Sequence, residues 1–324
     1  MEILPGVHRI ESNFNDRCIA VHLLVGEKAL LVDSGFPWTA TEIILPYLEQ
    51  AGLPAGLPAG LLDWLIVTHA SSDHHGGNSA IRARYPDVCI AAHQLDAQAT
   101  TDGWIFVREH ADVLAEYGFT PGVTRPDSPR FREWHGEPAG VDWRLQGGEQ
   151  VDLSADWPVT LIHAPGHTPG HMMLFDEKHG ALIAGDALMG NGVPDVHGRL
   201  VMPPHYFEVD WYVQTIRAAR TLQPRFILAT HYTPMAGDTV MEFLQASETF
   251  VARCDAWIQE IVESAAEPLD LPALILALRA RLDIPDADYQ YALLARAHVR
   301  HLVQSGHITR VAGGGAPRWS RSRS

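Results

Sequence analysis

Side chains that bind metal ions are concentrated at four places in this sequence, each directly after an apolar run. They are His69, Asp73, His74 and His75 in THASSDHHGG, residues 68–77; His163, His167 and His171 in HAPGHTPGH; Asp186 in LIAGDAL; and His231 in LATHYTP. Imidazole and carboxylate groups are ligands for zinc, iron and manganese. A lone histidine is usually a core or surface residue, but four clusters that each close an apolar strand predict a metal centre.

The elements that must position these residues alternate between strand and helix patterns. HRIES, CIAVHLLVG and KALLVDSG read as strands of a meander, and TATEIILPYLEQAG reads as a helix that stops at Gly52. The duplicated GLPAGLPAG is an expanded loop. LDWLIVTH, VCIAAH, WPVTLIHAPG, HMMLFDEKHGALIAGDAL and FILATH predict further strands, with helices at NSAIRARYP and near residues 208–222. The alternation predicts a layered α/β protein.

Two regions depart from this alternation. Residues 94–145 are aromatic, rich in proline and weakly periodic, so we expect an inserted helical segment with loops that contact substrate. From about residue 240 a long amphipathic helix begins, and the last 55 residues read as helices followed by a hairpin. We therefore predict a catalytic domain over residues 1–240, with the insertion at about 94–145, and a winged-helix-like module over residues 241–324.

The composition limits the class of protein and of partner. The net charge of -15, from 24 basic and 39 acidic residues, disfavours broad binding of nucleic acid or anionic membranes. Cys18, Cys89 and Cys254 form no CxxC pair, so we expect neither a disulfide framework nor a cysteine zinc site. We find no signal peptide pattern and no apolar run of about 18 residues, and we therefore predict a soluble, cytoplasmic protein without membrane contact.

The order of these motifs resembles that of the metallo-β-lactamase-fold hydrolases. That family has a four-layer αββα sandwich with a metal centre at one sheet edge. Its pattern is His-x-His-x-Asp-His, then a His in a GHTPG loop, an Asp after an AGD strand, and a late His. LVDSG, HASSDH, GHTPGH, AGD and ATH occur here in that order, within roughly residues 1–235. The resemblance implies the same fold and a metal-dependent hydrolase.

The resemblance also implies six metal ligands, carried over position by position. It assigns His69 and His167 to the first metal, Asp73, His74 and His231 to the second, and Asp186 to a bridge between them. Asp33 in LVDSG would support the site without binding metal.

Ser71 departs from the family pattern, because it stands where the family has its second histidine. A hydroxyl is a poor ligand for a divalent ion unless it is ionised, so we expect the first metal to be held more weakly. We predict one tight Zn²⁺ and a second, weaker one, with iron or manganese as alternatives. His75 could be invoked as a substitute ligand, but its side chain should point elsewhere.

The implied reaction uses hydroxide formed on the metal. Zinc lowers the pKa of bound water from about 15.7 to about 7, so hydroxide is available to attack an electrophilic carbon at neutral pH. Asp73 would orient the nucleophile or take its proton, and Ser71 would hydrogen-bond to the water or the substrate. Weaker candidates for substrate contact are His171, His205, Tyr232 and Trp104.

The sequence leaves three functions open. The first is a hydrolase that cleaves a small-molecule ester, thioester, lactone or related bond. The second is a mononuclear iron dioxygenase acting on a thiol or persulfide, and the third is a binding protein without turnover. A nuclease is disfavoured because the chain lacks the extra motifs and basic surface, and a serine nucleophile because no G-x-S-x-G is present. For the C-terminal module, packing within the chain or in a homodimer is favoured over nucleic-acid binding.

Overall fold

The first β-sheet begins as an antiparallel meander and continues with parallel strands. The computed structural model describes residues 1–50, 62–120, 129–284, 287–311 and 315–322, so Gly52 and GLPAGLPAG lie outside the described residues. Strands β1 to β4 are antiparallel and β4 to β7 are parallel. In sheet order the seven strands are β1 Glu2–Leu4, β2 Val7–Phe14, β3 Arg17–Val25, β4 Ala29–Val32, β5 Trp64–Ile66, β6 Cys89–His93 and β7 Trp143–Leu145.

The second sheet has six strands and contains one parallel pair. Its order is β15, β14, β11, β10, β9, β8, and among these described strands only β11 and β14 run parallel. Their bounds are β8 Gln150–Ser154, β9 Trp157–His163, β10 Met172–Asp176, β11 Ala181–Gly185, β14 Phe226–Ala229 and β15 Met235–Ala236. A separate hairpin joins β12, Val193–Pro194, to β13, Leu200–Met202.

The helices follow most of the predicted helical patterns. They are α1 Pro37–Thr39, a π-helical turn Ala40–Ile44, α2 Leu45–Gln50, α3 Ser72–His75, α4 Asn78–Arg84, α5 Ala97–Thr101, α6 Gly103–Ala115, α7 Pro129–His135, α8 Val209–Thr221, α9 Asp238–Ser264, α10 Leu271–Leu282 and α11 Asp288–Gln304. Within the described residues, no helix combines the length and apolar character needed to cross a membrane.

Three apolar clusters show how these elements are layered. One cluster lies between the two sheets and joins residues such as Leu30 and Ile66 to Leu161 and Ile183. A second packs the π-helical turn, α2 and α4 on the outer face of the first sheet. The third packs α8 and the C-terminal helices on the outer face of the second sheet. The protein is therefore a four-layer αββα sandwich, as predicted.

The insertion and the C-terminal module both contribute to the sandwich. Residues 94–145 contain α5, α6 and α7, but they end in β7, which pairs with β6 and completes the first sheet. After α10 and α11, the strands β16, Ile308–Arg310, and β17, Trp319–Arg321, form the predicted hairpin. Helix α9 begins at Asp238, so it spans the predicted domain boundary. The winged-helix-like character of the module stays a prediction.

Candidate metal centre

The predicted ligands meet at one end of the two sheets because each follows a strand. His69 comes three residues after β5, and Asp33 follows the neighbouring parallel strand β4 directly. Asp186 and His231 follow β11 and β14, which are also parallel neighbours. His167 lies in the loop between β9 and β10. Since parallel strands end at the same sheet edge, these side chains converge there.

The structure brings the six residues together in two groups. His69, His167 and Asp186 form one, and Asp73, His74 and His231 form the other; within each group the ligand atoms lie within 4.8 Å of one another. The Asp186 carboxylate faces both groups. Its Oδ2 atom is 3.3 Å from His231 Nε2, 3.6 Å from His74 Nε2 and 3.9 Å from His167 Nε2. This arrangement suits two ions that share one carboxylate.

Buried polar atoms without partners indicate that the groups fit a divalent cation. Among the described residues, His69 Nε2, His74 Nε2 and Asp186 Oδ1 are buried and make no hydrogen bond. A buried polar atom left unsatisfied costs about 1–3 kcal/mol, and a bound cation would remove that cost. Imidazole nitrogen and carboxylate oxygen are also the donor types that zinc takes in proteins. The residues present therefore fit the metal that the sequence pattern predicts.

Asp33 supports the second group. One carboxylate oxygen accepts a hydrogen bond from the Thr68 backbone N–H (2.7 Å), and the other accepts from the Thr68 hydroxyl (2.9 Å) and from His74 Nδ1 (2.8 Å). With its Nδ1 proton donated to Asp33, His74 directs Nε2 towards the other ligands. Asp33 itself has a φ of +66°, a strained conformation for a residue other than glycine.

Three further histidines are oriented by acceptors of their Nδ1 protons. His167 donates to the backbone carbonyl of His205 (3.0 Å), and His231 donates to that of Cys18 (2.8 Å). The Thr68 hydroxyl, whose own proton goes to Asp33, accepts from His69 Nδ1 at 3.1 Å. Such partners fix the tautomer and the ring orientation of a metal ligand. Each Nε2 is therefore free to bind an ion.

Ionisation of the site is set by opposing effects of burial and charge. Burial lowers the pKa of His69 well below its ordinary value, and the neighbouring imidazoles act in the same direction, so the ring is neutral and able to bind metal. Burial alone would raise the pKa of Asp186, but His231 and His74 hold it well below its usual range. The shared carboxylate is therefore negatively charged.

A cavity of about 400 Å³ opens above the two groups. Its floor includes Asp73, His167, Asp186 and His231, which are four of the six predicted ligands. Ser71 also lines the cavity, and its side chain makes no capping bond to helix α3. Both residues predicted to act on the nucleophile, Asp73 and Ser71, are thus open to a bound molecule.

Of the four candidates for substrate contact, only His205 lines this cavity. His171 is fully buried, and its Nε2 accepts a hydrogen bond from the Asp186 backbone N–H at 3.1 Å. The Tyr232 hydroxyl lies 2.6 Å from the Met189 carbonyl, and the Trp104 ring packs edge-on against Phe131. His171 and Tyr232 are therefore placed as supports, because His171 Nε2 and the Tyr232 hydroxyl form hydrogen bonds with buried backbone groups.

His75 points away from the metal ligands, as expected. Its Nε2 lies 3.4 Å from Nδ1 of His135, a residue of α7 that lines the cavity. Burial lowers the pKa of His135 to about 4, so this imidazole is neutral at physiological pH. Gly103 leaves room for the His135 ring, because a Cβ atom at position 103 would lie 2.3 Å from His135 Nδ1. The gap at Ser71 is not filled by His75.

Sequence reasoning missed Asp96, a buried carboxylate that joins two ligand-bearing loops. It accepts hydrogen bonds from the Thr168 hydroxyl (2.6 Å), the Gly170 N–H (2.7 Å) and the Ala70 N–H (3.4 Å). The first two belong to the loop of His167, and Ala70 follows His69. Burial raises the pKa of Asp96 from 3.8 to about 6 despite these three bonds. An isolated aspartate after a strand carried no signal for this role.

Sequence reasoning also missed a buried relay between the site and the C-terminal module. The Tyr206 hydroxyl donates to His298 Nε2 (2.6 Å), and His298 Nδ1 donates to Asp255 (2.7 Å). Tyr206 follows His205, whose carbonyl orients His167. Helices α9 and α11 therefore hold the segment that aims one predicted ligand of the first metal.

We expect Ser71→His to tighten the first metal. A change in a supporting residue alone alters metal affinity about 10- to 100-fold, so a direct ligand should lower the first-site Kd at least about tenfold. Titration with Zn²⁺ against a chelator measures both sites, and Ser72→His is the matched control. Unchanged stoichiometry and activity in Ser71→His would contradict the assignment.

We expect Asp96→Asn to alter the pH dependence of stability. The folded protein holds the Asp96 proton up to about pH 6 and the unfolded chain only to about 3.8, so this group stabilises the fold less as pH rises through that window. The free energy of unfolding of wild type relative to Asp96→Asn should fall by up to about 3 kcal/mol between pH 4 and 7. Urea unfolding with chelator present measures it, and exposed Asp152→Asn is the control. A difference that is constant with pH would refute the prediction.

We expect Tyr206→Phe to weaken the first metal selectively. The change leaves His298 Nε2 buried without a donor, at a cost of about 1–3 kcal/mol in stability, and frees the His205 segment. The first-site Kd should rise about tenfold while the second-site Kd stays constant. Gln304→Ala, at an exposed position at the end of the same helix, is the control. Equal weakening of both sites would show a general loss of folding instead.

Comparison with known proteins places this geometry in a family. The model of the metallo-beta-lactamase superfamily matches residues 18–231, which include all six predicted ligands. The probable metallo-hydrolase YflN of Bacillus subtilis is 26% identical over 216 residues, or 64% of this chain and 76% of that protein. The acyl-coenzyme A thioesterase MBLAC2 of Gallus gallus is 30% identical over 182 residues, or 52% of this chain and 57% of that protein. The hydroxyacylglutathione hydrolase of Dechloromonas aromatica is 28% identical over 167 residues, or 52% of this chain and 42% of that protein.

Solved structures show the same fold. The metallo-beta-lactamase family protein TTHA1429 of Thermus thermophilus superposes with a TM-score of 0.70 at 20% identity, over 99% of this chain and 100% of that one. A beta-lactamase domain protein of Burkholderia ambifaria superposes with a TM-score of 0.72 at 22% identity, over 99% of this chain and 94% of that one. The fold, the order of the motifs and the family match agree, and this chain belongs to the metallo-beta-lactamase superfamily.

Proposed function

We propose that this protein is a metal-dependent hydrolase that cleaves an ester, thioester or lactone bond of a small molecule. The observation that carries the proposal is the pair of ligand groups that share Asp186 on the floor of a cavity. The cavity, about 400 Å³, is within the usual range for sites that enclose a small ligand. A cation-binding floor below a cavity of this size suits attack on a carbonyl carbon.

The residues around the cavity divide the work of the reaction. Metal ions held by the six ligands would supply a nucleophile from water at neutral pH and polarise the substrate carbonyl. The Asp73 carboxylate, with Oδ2 3.7 Å from His231 Nε2, lies beside the cavity and would orient the attacking water and accept its proton. The Ser71 hydroxyl would donate a hydrogen bond to the substrate.

Two relatives support the choice of bond. One is named an acyl-coenzyme A thioesterase and another a hydroxyacylglutathione hydrolase, so both names describe hydrolysis of an acyl compound. Each matches only about half of this chain, so their own substrates are not carried over. The class that we propose for this protein is the acyl ester or thioester, with the lactone as its cyclic form.

Zinc is the metal that we propose, with iron as the alternative that has a specific observation behind it. Each of the two groups has two histidines and one carboxylate, the ligand set of non-heme iron oxygenases. The two groups adjoin each other and share Asp186, which favours a pair of ions and hydrolysis. A mononuclear iron site that oxidises a thiol or persulfide is the second candidate function.

Metal analysis together with a substrate screen tests the proposal. We expect one to two zinc ions per chain and turnover of thioesters, aryl esters or lactones by the zinc-loaded protein. Asp186→Asn should lower kcat/KM at least about 100-fold, because it weakens both groups, whereas exposed Asp152→Asn should leave it unchanged.

Two results would contradict this proposal. Less than ~0.2 metal per chain after zinc supplementation would remove the basis for an enzyme. Iron as the bound metal, with oxygen consumed in the presence of a thiol, would establish the alternative function instead.

A further inference from the structure

One wall of the cavity is apolar and comes partly from the C-terminal module. Helix α6 contributes Phe106, α7 contributes Trp134, and α11 contributes Tyr289 and Leu293. The floor, by contrast, carries the charged and polar ligands. Arg17 and Gln290 also line the cavity, so a molecule with its carbonyl at the floor has both this apolar wall and a few polar groups available for the rest of its body.

Helix α11 presents this wall in a fixed position. Tyr289 and Leu293 are four residues apart, so they lie on the same face of the helix. Leu293 is only 2% exposed and belongs to the apolar cluster that joins the second sheet to the C-terminal helices. Helix α11 packs against α8, α9 and α10 and contacts α6 of the insertion. The part of the wall formed by Leu293 is thus held by packing in the core.

The basic residues of α11 are engaged within the chain. Arg296 and Arg300 lie 3.8 and 3.2 Å from Glu208, and His301 lies 3.1 Å from Asp210. A helix that reads a nucleic-acid groove presents such groups to phosphates and bases. These contacts and the cavity-facing residues account for α11 without a nucleic-acid partner.

We propose that α11 is a specificity element that selects substrates with an apolar acyl group. The acyl chain or ring lies against Tyr289 and Leu293 while its carbonyl reaches the floor of the cavity. The proposal rests on the proposed function for the type of bond, and it adds the class of acyl group and the residues that recognise it.

The proposal is tested with a series of acyl thioesters on the metal-loaded, full-length protein. Acetyl, butyryl, hexanoyl and octanoyl thioesters of one thiol are compared by kcat/KM. Each methylene buried against the wall should raise kcat/KM about fourfold until the cavity is full. A flat dependence on chain length in wild type would overturn the proposal.

Substitutions at the wall should move the preferred chain length. Leu293→Ala removes about three carbon atoms from the wall, so the optimum should move to longer acyl chains. Gln290 is half-buried and also lines the cavity, so Gln290→Leu tests the wall if Leu293→Ala fails to fold. In Gln290→Leu the ratio of kcat/KM for the hexanoyl to the acetyl thioester should be higher than in wild type. Leu276→Ala is the matched control, since Leu276 lies on α10 and is 71% exposed. The same optimum in all four proteins would overturn the proposal.

A binding measurement separates this proposal from that of hydrolysis. The straight-chain carboxylates from acetate to octanoate mimic the products, and calorimetry on the metal-loaded protein gives their Kd without turnover. If no thioester, aryl ester or lactone is cleaved but affinity rises with chain length and changes in Leu293→Ala, hydrolysis is wrong and the apolar acyl site stands. If thioesters are cleaved while neither kcat/KM nor affinity depends on chain length, hydrolysis stands and the role of α11 is wrong.

Discussion

A buried carboxylate surrounded by imidazoles is the interaction on which this structure depends. Asp186 is 6% exposed and lies within 3.9 Å of His74, His167 and His231. A charge removed from water is tolerated only when it is paired and hydrogen-bonded or bound to a metal. The αββα sandwich meets this requirement because strands of both sheets end at the same edge. Imidazoles from distant parts of the chain can therefore surround one carboxylate.

The ligands need precise orientation, and neighbouring acceptors supply it. Asp33 accepts a hydrogen bond from His74, and Thr68 accepts one from His69. The backbone carbonyls of His205 and Cys18 do the same for His167 and His231. Each of these bonds leaves one ring nitrogen directed at the centre. The departure at Ser71 takes one side chain from this set without disturbing the others, because each remaining histidine ligand has its own hydrogen-bond acceptor.

The C-terminal module is best understood as part of the site. Its helices hold the His205 segment through Tyr206 and His298, and α11 also lines the cavity. The apolar cluster that contains these helices includes strand residues of the second sheet, such as Leu182. Val240 and Leu244, on either side of the predicted domain boundary, both belong to this cluster, so a change in the module should be felt at the metal ligands.

Local sequence pattern determined the strands that precede the predicted ligands, most helices and the four clusters of metal-binding side chains, because apolar periodicity and residues at strand ends are local features. The four-layer fold and the set of six ligands followed from the resemblance of the motif order to a known family. Local pattern did not reveal β1, β7, β8, β12, β13 or β15; all of these except β8 have only two or three residues, which carry little periodicity. Asp96, the carbonyl of His205 and the Tyr206–His298–Asp255 relay also required the tertiary structure. The groups that these residues bind are either distant in the sequence or backbone groups. Every residue has backbone groups, so no pattern of side chains predicts which of them will be used. The fold likewise decided that His205 borders the cavity while His171 and Tyr232 lie behind it, since exposure depends on how distant elements pack.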